Sequence, residues 1–358
     1  MDNLDFCIAG AGIVGLSIAL ELESRGARVA VLDQGKPLDE ASCAAGGMLA
    51  AEDPDNPVEL SPLSKLSRSI YPEFLKRVES LSGMQVPFHT STTLQSVPEH
   101  LNGKTPETLA PAALAEILPQ LNPGSRRFFQ LAENSVDLGQ LTQAIAAAVR
   151  ATSIDLRTQT SVERVRSTGS GVEVESSAGA VSAARFVDCT GSWSLTTPQH
   201  SRLPVTPRKG QICWVVLPPS LPLRVVVRTP EVYIIPRTTG ETSGRALIGA
   251  TVENAGFDKT VNDSDIDRLR ARAIELLPQL AEAGGLEAWA GLRPGTPDCL
   301  PILGALPDCP NQYVANGLYR NGILLAPATG RVMAQLLTGE EPAVDLSAFS
   351  PQRIPAQS

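Results

Sequence analysis

The residues with the clearest chemistry stand near the start of the chain. Gly10, Gly12 and Gly15 form G-x-G-x-x-G directly after an apolar run, Asp5 to Ala9. Gly10 permits a tight turn, Gly12 lets a pyrophosphate approach the backbone, and Gly15 lets the following helix lie close to the sheet. Ile13 and Val14 fall in the first turn of that helix. Its N-terminus offers backbone N–H groups and the positive end of the helix dipole to a phosphate. Asp33, eighteen residues beyond Gly15, ends the next apolar run with Gln34 beside it, and its carboxylate can accept hydrogen bonds from an adenosine ribose. This is the chemistry of dinucleotide binding. The unit does not by itself separate a flavin from a nicotinamide dinucleotide.

For that chemistry the glycines must sit in a strand–helix–strand unit. Leu16 to Arg25 has helical apolar spacing, Gly26 closes the helix, and a second strand runs from Arg28 to Leu32. A small-residue loop, Ala41 to Ala50, follows. Helical patterning from Leu63 to Leu81 is expected to break or kink near Pro72. Val136 to Thr152 reads as an Ala-rich helix, Val162 to Val174 as a hairpin around Gly169-Ser170-Gly171, and Ala184 to Cys189 as a buried strand ending in Thr190-Gly191-Ser192-Trp193. Alternating strands follow at Gln211–Leu217, Leu223–Val227, Val232–Ile235 and Arg245–Ala250. A helix is expected from Asp265 to Leu277, capped by Ser264, with Asp265 and Asp267 in its first turn. The chain ends on a strand at Tyr313–Ala315 and a helix running to Leu337. The order predicts an α/β fold (α+β overall). Residues 1–84, 141–203 and 286–358 form a Rossmann-like nucleotide domain, interleaved with a mainly antiparallel β domain of residues 85–140 and 204–285.

Composition narrows the partners. The chain has 358 residues, 42% of them hydrophobic, and a net charge of −8, which is not the basic footprint that nucleic acid requires. The start, Met1-Asp2-Asn3-Leu4-Asp5, lacks the positive charge of a secretory signal, and no apolar run reaches bilayer-spanning length. The six cysteines, Cys7, Cys43, Cys189, Cys213, Cys299 and Cys309, form no C-x-x-C pair and suit a reducing, cytoplasmic compartment. The three histidines, His89, His100 and His200, stand apart from other ligand-type residues. Neither a metal centre nor a histidine-based mechanism is expected.

The chain resembles the D-amino-acid oxidase superfamily of flavoproteins, and within it the glycine oxidase branch. The resemblance is carried by Gly10 to Gly15, Ser42 to Leu49, Phe186 to Ser194 and Pro207 to Gln211. It continues in Trp289-Ala290-Gly291-Leu292-Arg293-Pro294-Gly295-Thr296-Pro297-Asp298 and in Tyr319-Arg320-Asn321-Gly322-Ile323-Leu324-Leu325-Ala326-Pro327-Ala328-Thr329. It implies an FAD-binding domain beside a substrate-binding domain. By the same resemblance Ser42, Ala45, Gly46, Gly47 and Met48 run along the flavin ring and pyrophosphate, Val162 meets the adenine, and Thr190, Gly191 and Trp193 belong to the cofactor site. Arg320, Asn321, Gly322, Ile323 and Leu324 pass the pyrimidine end of the ring, where a helix N-terminus favours the reduced flavin. Arg293 holds the substrate carboxylate, for which its planar fork is suited. Tyr233 offers its hydroxyl to the same carboxylate, and Arg320 assists there or lies over the flavin. No cysteine lies between Trp289 and Asp298, so the FAD is expected to be non-covalent.

The expected activity is oxidative deamination of glycine or a similar small amino acid. A hydride passes from Cα to flavin N5, giving an imine, then an α-keto acid and ammonia, with hydrogen peroxide from oxygen. No protein acid or base is expected to be catalytic. Alternatives within the superfamily are sarcosine, a D-amino acid or D-proline as substrate, or a dehydrogenase using a quinone or protein acceptor. A flavin-binding regulatory subunit is the reading from a different class. Bacterial relatives supply an imine for the thiazole of thiamine, which implies a partner enzyme, and a homo-oligomer is compatible with all of these readings.

Overall fold

Two β-sheets organise the chain, and the pattern of apolar residues decides what each sheet buries. The computed structural model describes residues 4–97, 106–196 and 203–354; His100 and His200 lie outside the described residues. Near-continuous apolar runs build the first sheet, as suits strands covered on both faces. Its main path runs Ile302–Ala305, Gln312–Asn316, Gly179–Asp188, Leu4–Ala9, Val29–Leu32, Asp155–Arg157. The central strand Leu4–Ala9 is parallel to both neighbours, with Ile8 paired to Val187 on one side and Val31 on the other. Phe6, Ile8, Val31 and Val187 share a core with the helices Ile13–Glu23, Ser61–Ser82, Leu138–Arg150 and Gly322–Thr338. Cys7, Ala9 and Leu32 turn the other way, onto the hairpin Val162–Ser167/Val172–Ser176. The carboxyl ends of Leu4–Ala9 and Gly179–Asp188 meet where the Cys189 N–H donates to the Ala9 carbonyl at 2.8 Å. This is the switch point of the sheet, the place where an open α/β fold binds its ligand.

The second sheet runs Gly284–Gly295, Thr206–Val216, Arg245–Gly249, Tyr233–Pro236, Val226–Arg228, Thr93–Ser96, Phe128–Leu131. Its strands alternate. Leu94, Cys213, Val227, Ile234 and Ile248 pack on Ile266, Leu269 and Ala273 of the helix Asp263–Leu276. Register fixes what the opposite face presents. Trp289, Ile212, Gly249, Tyr233, Arg228, Gln95 and Phe129 are successive cross-strand partners, forming one row across all seven strands.

Several boundaries differ from the sequence reading. Pro72 does not break its helix, which runs unbroken from Ser61 to Ser82. Pro72 is on the exposed face, and the carbonyl it leaves without a helical partner belongs to Arg68, on the outer part of the helix. The helix expected from Asp265 starts at Asp263, with Asn262 rather than Ser264 in the capping position and Asp263 and Asp265 in the first turn. The segment around Arg293, to which no element is assigned from sequence, is a twelve-residue strand, Gly284–Gly295, paired with Thr206–Val216 of the second sheet. That strand is an edge, where Pro294 is tolerated because only one side needs N–H donors. Pro327 lies inside the last helix, and the carbonyl it orphans, that of Ile323, accepts from the Tyr71 hydroxyl at 3.2 Å. No helix among the described residues is long and apolar enough to cross a membrane.

Candidate active site

A cleft of about 570 Å³ opens at the switch point and continues between the two sheets. At the switch point the three glycines each do something different. Gly10 holds φ +100, and a Cβ there would fall 2.4 Å from the Cys189 carbonyl oxygen. A Cβ on Gly15 would fall 2.0 Å from the Gly10 carbonyl oxygen, so this glycine is what brings helix and strand together. A Cβ on Gly12 would meet only Ser42 Oγ, at 3.5 Å, because that residue faces the cleft. The helix Ile13–Glu23 has no side-chain cap and no acid in its first turn. A group bearing phosphates therefore meets a helix start that carries no acid of its own. Asp33 lines the cleft and also fixes the turn: its Oδ2 accepts from the Ala11 N–H at 2.6 Å and its Oδ1 from the Gly35 N–H at 2.7 Å. Ser42 Oγ accepts from the Ile13 N–H at 3.0 Å. These features fit a dinucleotide.

The middle of the cleft is walled by Ala44 to Met48, which lie against the second sheet. Trp289 Nε1 donates to the Ala44 carbonyl at 3.2 Å, and Gly291 is bare where a Cβ would come within 2.4 Å of Ala44 Cβ. Arg237 Nη2 donates to the Gly46 carbonyl at 3.1 Å while its Nε pairs with Asp137 at 3.1 Å. Across the cleft, buried Asp188 accepts from the Thr190 N–H at 2.9 Å and hydroxyl at 2.6 Å, shaping the Thr190–Gly191 turn. Trp193 packs on Phe257, ring centroids 5.8 Å apart. At the far end the helix Gly322–Thr338 starts without a side-chain cap.

Arg293 and Tyr233 converge on the second-sheet side. The Arg293 guanidinium lies over Gly210, where a Cβ would come 2.2 Å from its nitrogens. Its Nη1 donates to the Thr251 carbonyl at 3.1 Å and more weakly to that of Lys209 at 3.4 Å. The Tyr233 hydroxyl lies over Gly249, 2.6 Å from where a Cβ would stand. Enclosure pushes the Tyr233 phenol up, against the pull of the Arg293 charge and hydrogen bond, so the hydroxyl keeps its proton and remains a donor. Among the described residues no carboxylate lies within ion-pairing distance of Arg293. Its charge is turned toward the cleft and is met, among the described residues, by the Thr251 and Lys209 carbonyls and the Tyr233 hydroxyl.

Arg320 is placed differently. Its Nη2 donates to Asn56 Oδ1 at 3.1 Å and stands 3.4 Å from Asp53 Oδ2. Asn321 Nδ2 donates to the same Asn56 oxygen at 2.9 Å. Of the residues expected from sequence, Gly10, Gly12, Ile13, Val14, Asp33, Gln34, Ser42, Ala45 to Met48, Val162, Thr190, Gly191, Trp193, Tyr233, Arg293 and Arg320 to Ile323 all line the cleft. Gly15 does not, being behind the turn. Leu324 does not either; it is buried, and its carbonyl accepts from the Ser67 hydroxyl at 2.5 Å. Sequence reasoning missed Arg228, Asp53, Gly210 and Gly249. For the two glycines a signal existed, since glycine inside a strand marks a close approach.

Comparison with known proteins agrees with this geometry. The family model described as DAO, FAD dependent oxidoreductase, matches residues 5–336. A glycine oxidase of Pseudomonas aeruginosa is 33% identical, the match covering 96% of this chain and 97% of that one. A bifunctional protein ThiO/ThiG of Trichormus variabilis is 34% identical over 99% of this chain, which spans 56% of that longer protein. The crystal structure of glycine oxidase from Geobacillus kaustophilus superposes with a TM-score of 0.91 at 29% identity, covering 100% of both chains. The glycine turn, the uncapped helix and a family match over nearly the whole length lead to one conclusion: the chain belongs to the DAO family of FAD-dependent oxidoreductases, and FAD is its cofactor.

Proposed function

We propose that this enzyme, an FAD-dependent amine or amino-acid oxidase, acts on glycine or a similarly small amino acid. The observation that carries the reading is Arg293, a guanidinium facing the cleft with no acid beside it among the described residues, next to the protonated Tyr233 hydroxyl. That pair recognises a carboxylate: the fork supplies charge and two parallel donors, the phenol a third. Held there, the substrate presents one face of Cα, and orientation supplies much of the catalysis. Bound FAD supplies the hydride acceptor. The substrate loses hydride from Cα and a proton from nitrogen, and the released imine takes up water to give the α-keto acid and ammonia. With oxygen as the terminal acceptor, hydrogen peroxide is the second product.

In the same reading the Gly10–Gly15 turn takes the pyrophosphate, Asp33 the ribose, Val162 the adenine, and residues 42–48 and 320–324 flank the ring. Relatives in which the matching region is fused to a second part support a role in thiamine biosynthesis beside a partner enzyme. The test is peroxide release from glycine, sarcosine, D-alanine, D-proline and L-alanine. Glycine and sarcosine are expected to react, D-alanine more slowly and L-alanine not at all. Equal rates on the two alanines, or no amine oxidised with any acceptor, would sink the proposal.

A further inference from the structure

The second sheet carries another guanidinium to the cleft, on the opposite side of Tyr233 from Gly249. Arg228 is the cross-strand partner of Tyr233, and its side chain is only 7% exposed. Most of it is committed. Nε donates to Gln95 Oε1 at 2.9 Å, Nη2 donates to the same oxygen, and Nη2 also stands 3.2 Å from Glu133 Oε2. Nη1 is not committed in this way. Among the described residues its partners are a thioether, Met48 Sδ, and Asp53 Oδ2 beyond hydrogen-bond reach, each at 3.9 Å. Arg228, Met48 and Asp53 all line the cleft. The same Asp53 oxygen stands 3.4 Å from Arg320, so one carboxylate oxygen is loosely shared between two guanidiniums. The other Asp53 oxygen is held by the Asp55 N–H at 3.0 Å.

We propose that Arg228, with Arg320, receives a second carboxylate on the substrate, making this an oxidase of small amino diacids. The proposal rests on the amino-acid reading above and names the substrate class within it. Spacing supports it. Two strand separations of about 4.8 Å lie between Gly249, under the Tyr233 hydroxyl, and Arg228. Two carboxylates joined through three atoms span roughly 5 Å, and a charge-assisted hydrogen bond of about 2.8 Å at each end brings this close to the same distance. The local charges allow it. Burial pushes the Glu133 carboxyl up, against the pull of the Arg228 charge, which weakens its hold on that guanidinium. Asp55 and Glu231, also at this end, are exposed, and water screens them. Asp53 is the residue that opposes a second carboxylate.

The test is titration of the anaerobic holoenzyme, read by flavin absorbance. The probes are thiodiacetate, a diacid with sulfur in place of the amine, and methylthioacetate, which has one carboxylate. Thiodiacetate is expected to bind at least tenfold more tightly. Arg228→Gln combined with Glu133→Gln removes the guanidinium without leaving the buried acid beside it unpaired, and is expected to abolish that preference; Asp53→Asn is expected to enlarge it. Should the double variant lose its flavin, Arg228→Lys, which keeps the charge without the fork, is expected to reduce the preference. Equal affinity for the two probes in the unaltered enzyme, or a preference indifferent to Arg228, overturns the proposal. Turnover of iminodiacetate and D-glutamate, whose carboxylates are both joined through three atoms, relative to glycine then tells whether the second carboxylate is carried on nitrogen or on Cα. Arg228-dependent binding of thiodiacetate without oxidation of any amine would leave the diacid site standing and remove the amine-oxidation reading.

Discussion

The two halves of the cleft are built on opposite principles. The cofactor half is made of backbone: glycines, an uncapped helix start and short turns, with side chains such as Asp33 and Ser42 holding the backbone in place. The substrate half is made of side chains standing on a sheet, with Gly210 and Gly249 left bare so that Arg293 and Tyr233 can lie flat over them. Damage to the first half is therefore expected to remove the flavin, and damage to the second to spare the flavin and remove turnover.

The sharpest break comes from Gly12→Val. A Cβ at this position meets only Ser42 Oγ, so the chain is expected to fold, yet the branched side chain fills the space the pyrophosphate needs. The purified variant is expected to be colourless. A yellow variant with full FAD occupancy would show that the phosphates lie elsewhere. In the unaltered protein, acid precipitation is expected to release the FAD; flavin retained in the pellet would mean a covalent link, with Cys299, which lines the cleft, the first residue to examine.

Next in size is Arg293→Ala. Charge-assisted hydrogen bonds are worth about 1.5–3 kcal/mol each, and losing two is expected to lower kcat/KM for amino acids by roughly two or more powers of ten. Arg293→Lys is expected to recover only part of this. Flavin content stays normal in both, and an amine without a carboxylate loses far less. Equal losses for amine and amino acid would make Arg293 a structural residue.

Gly210→Ala probes the same anchor from beneath. The added methyl must push the guanidinium aside, which a flexible side chain does at little cost to stability but at a cost to aim. A drop of about tenfold in kcat/KM with an unchanged melting temperature is expected, since small misplacements of an anchor are costly. A fall in melting temperature without a change in kinetics would refute the platform.

The smallest effect lies outside both halves. Tyr71→Phe leaves the Ile323 carbonyl, already freed by Pro327, without its donor. An unsatisfied buried group costs about 1–3 kcal/mol, so the melting temperature is expected to fall by several degrees while flavin and kinetics stay close to normal. A large kinetic defect would mean that the start of the last helix is more finely tuned than its packing implies.

The same contrast explains what could be read from sequence. The glycine turn was legible because its parts are neighbours in the chain: G-x-G-x-x-G, a helix, a strand and Asp33 within about thirty residues. Arg293 and Tyr233 were reached through motif resemblance, without their setting. Gly291, Pro294 and Gly295 look like loop residues, and only the pairing of Gly284–Gly295 with Thr206–Val216 shows them to be an edge strand. Arg228 was invisible because nothing local distinguishes it; its position follows from a register that pairs it with Tyr233 on one side and Gln95 on the other. The helix start at Asp263 was missed for a simpler reason. Asn262, Asp263, Ser264 and Asp265 are all residues that favour helix starts, so propensity alone could not choose among them.

The pairing of the first strand also has a consequence for how the protein is made. Leu4–Ala9 finds one neighbour in Val29–Leu32, but its other neighbour is Gly179–Asp188, and the last wall of the cleft belongs to a helix beginning at Gly322. On a ribosome the glycine turn emerges long before that helix, and the cleft it heads lacks this wall until the residues beyond 322 have followed. Nascent chains halted before residue 322 are expected to hold no flavin, and FAD to be captured only once the helix beginning there has formed.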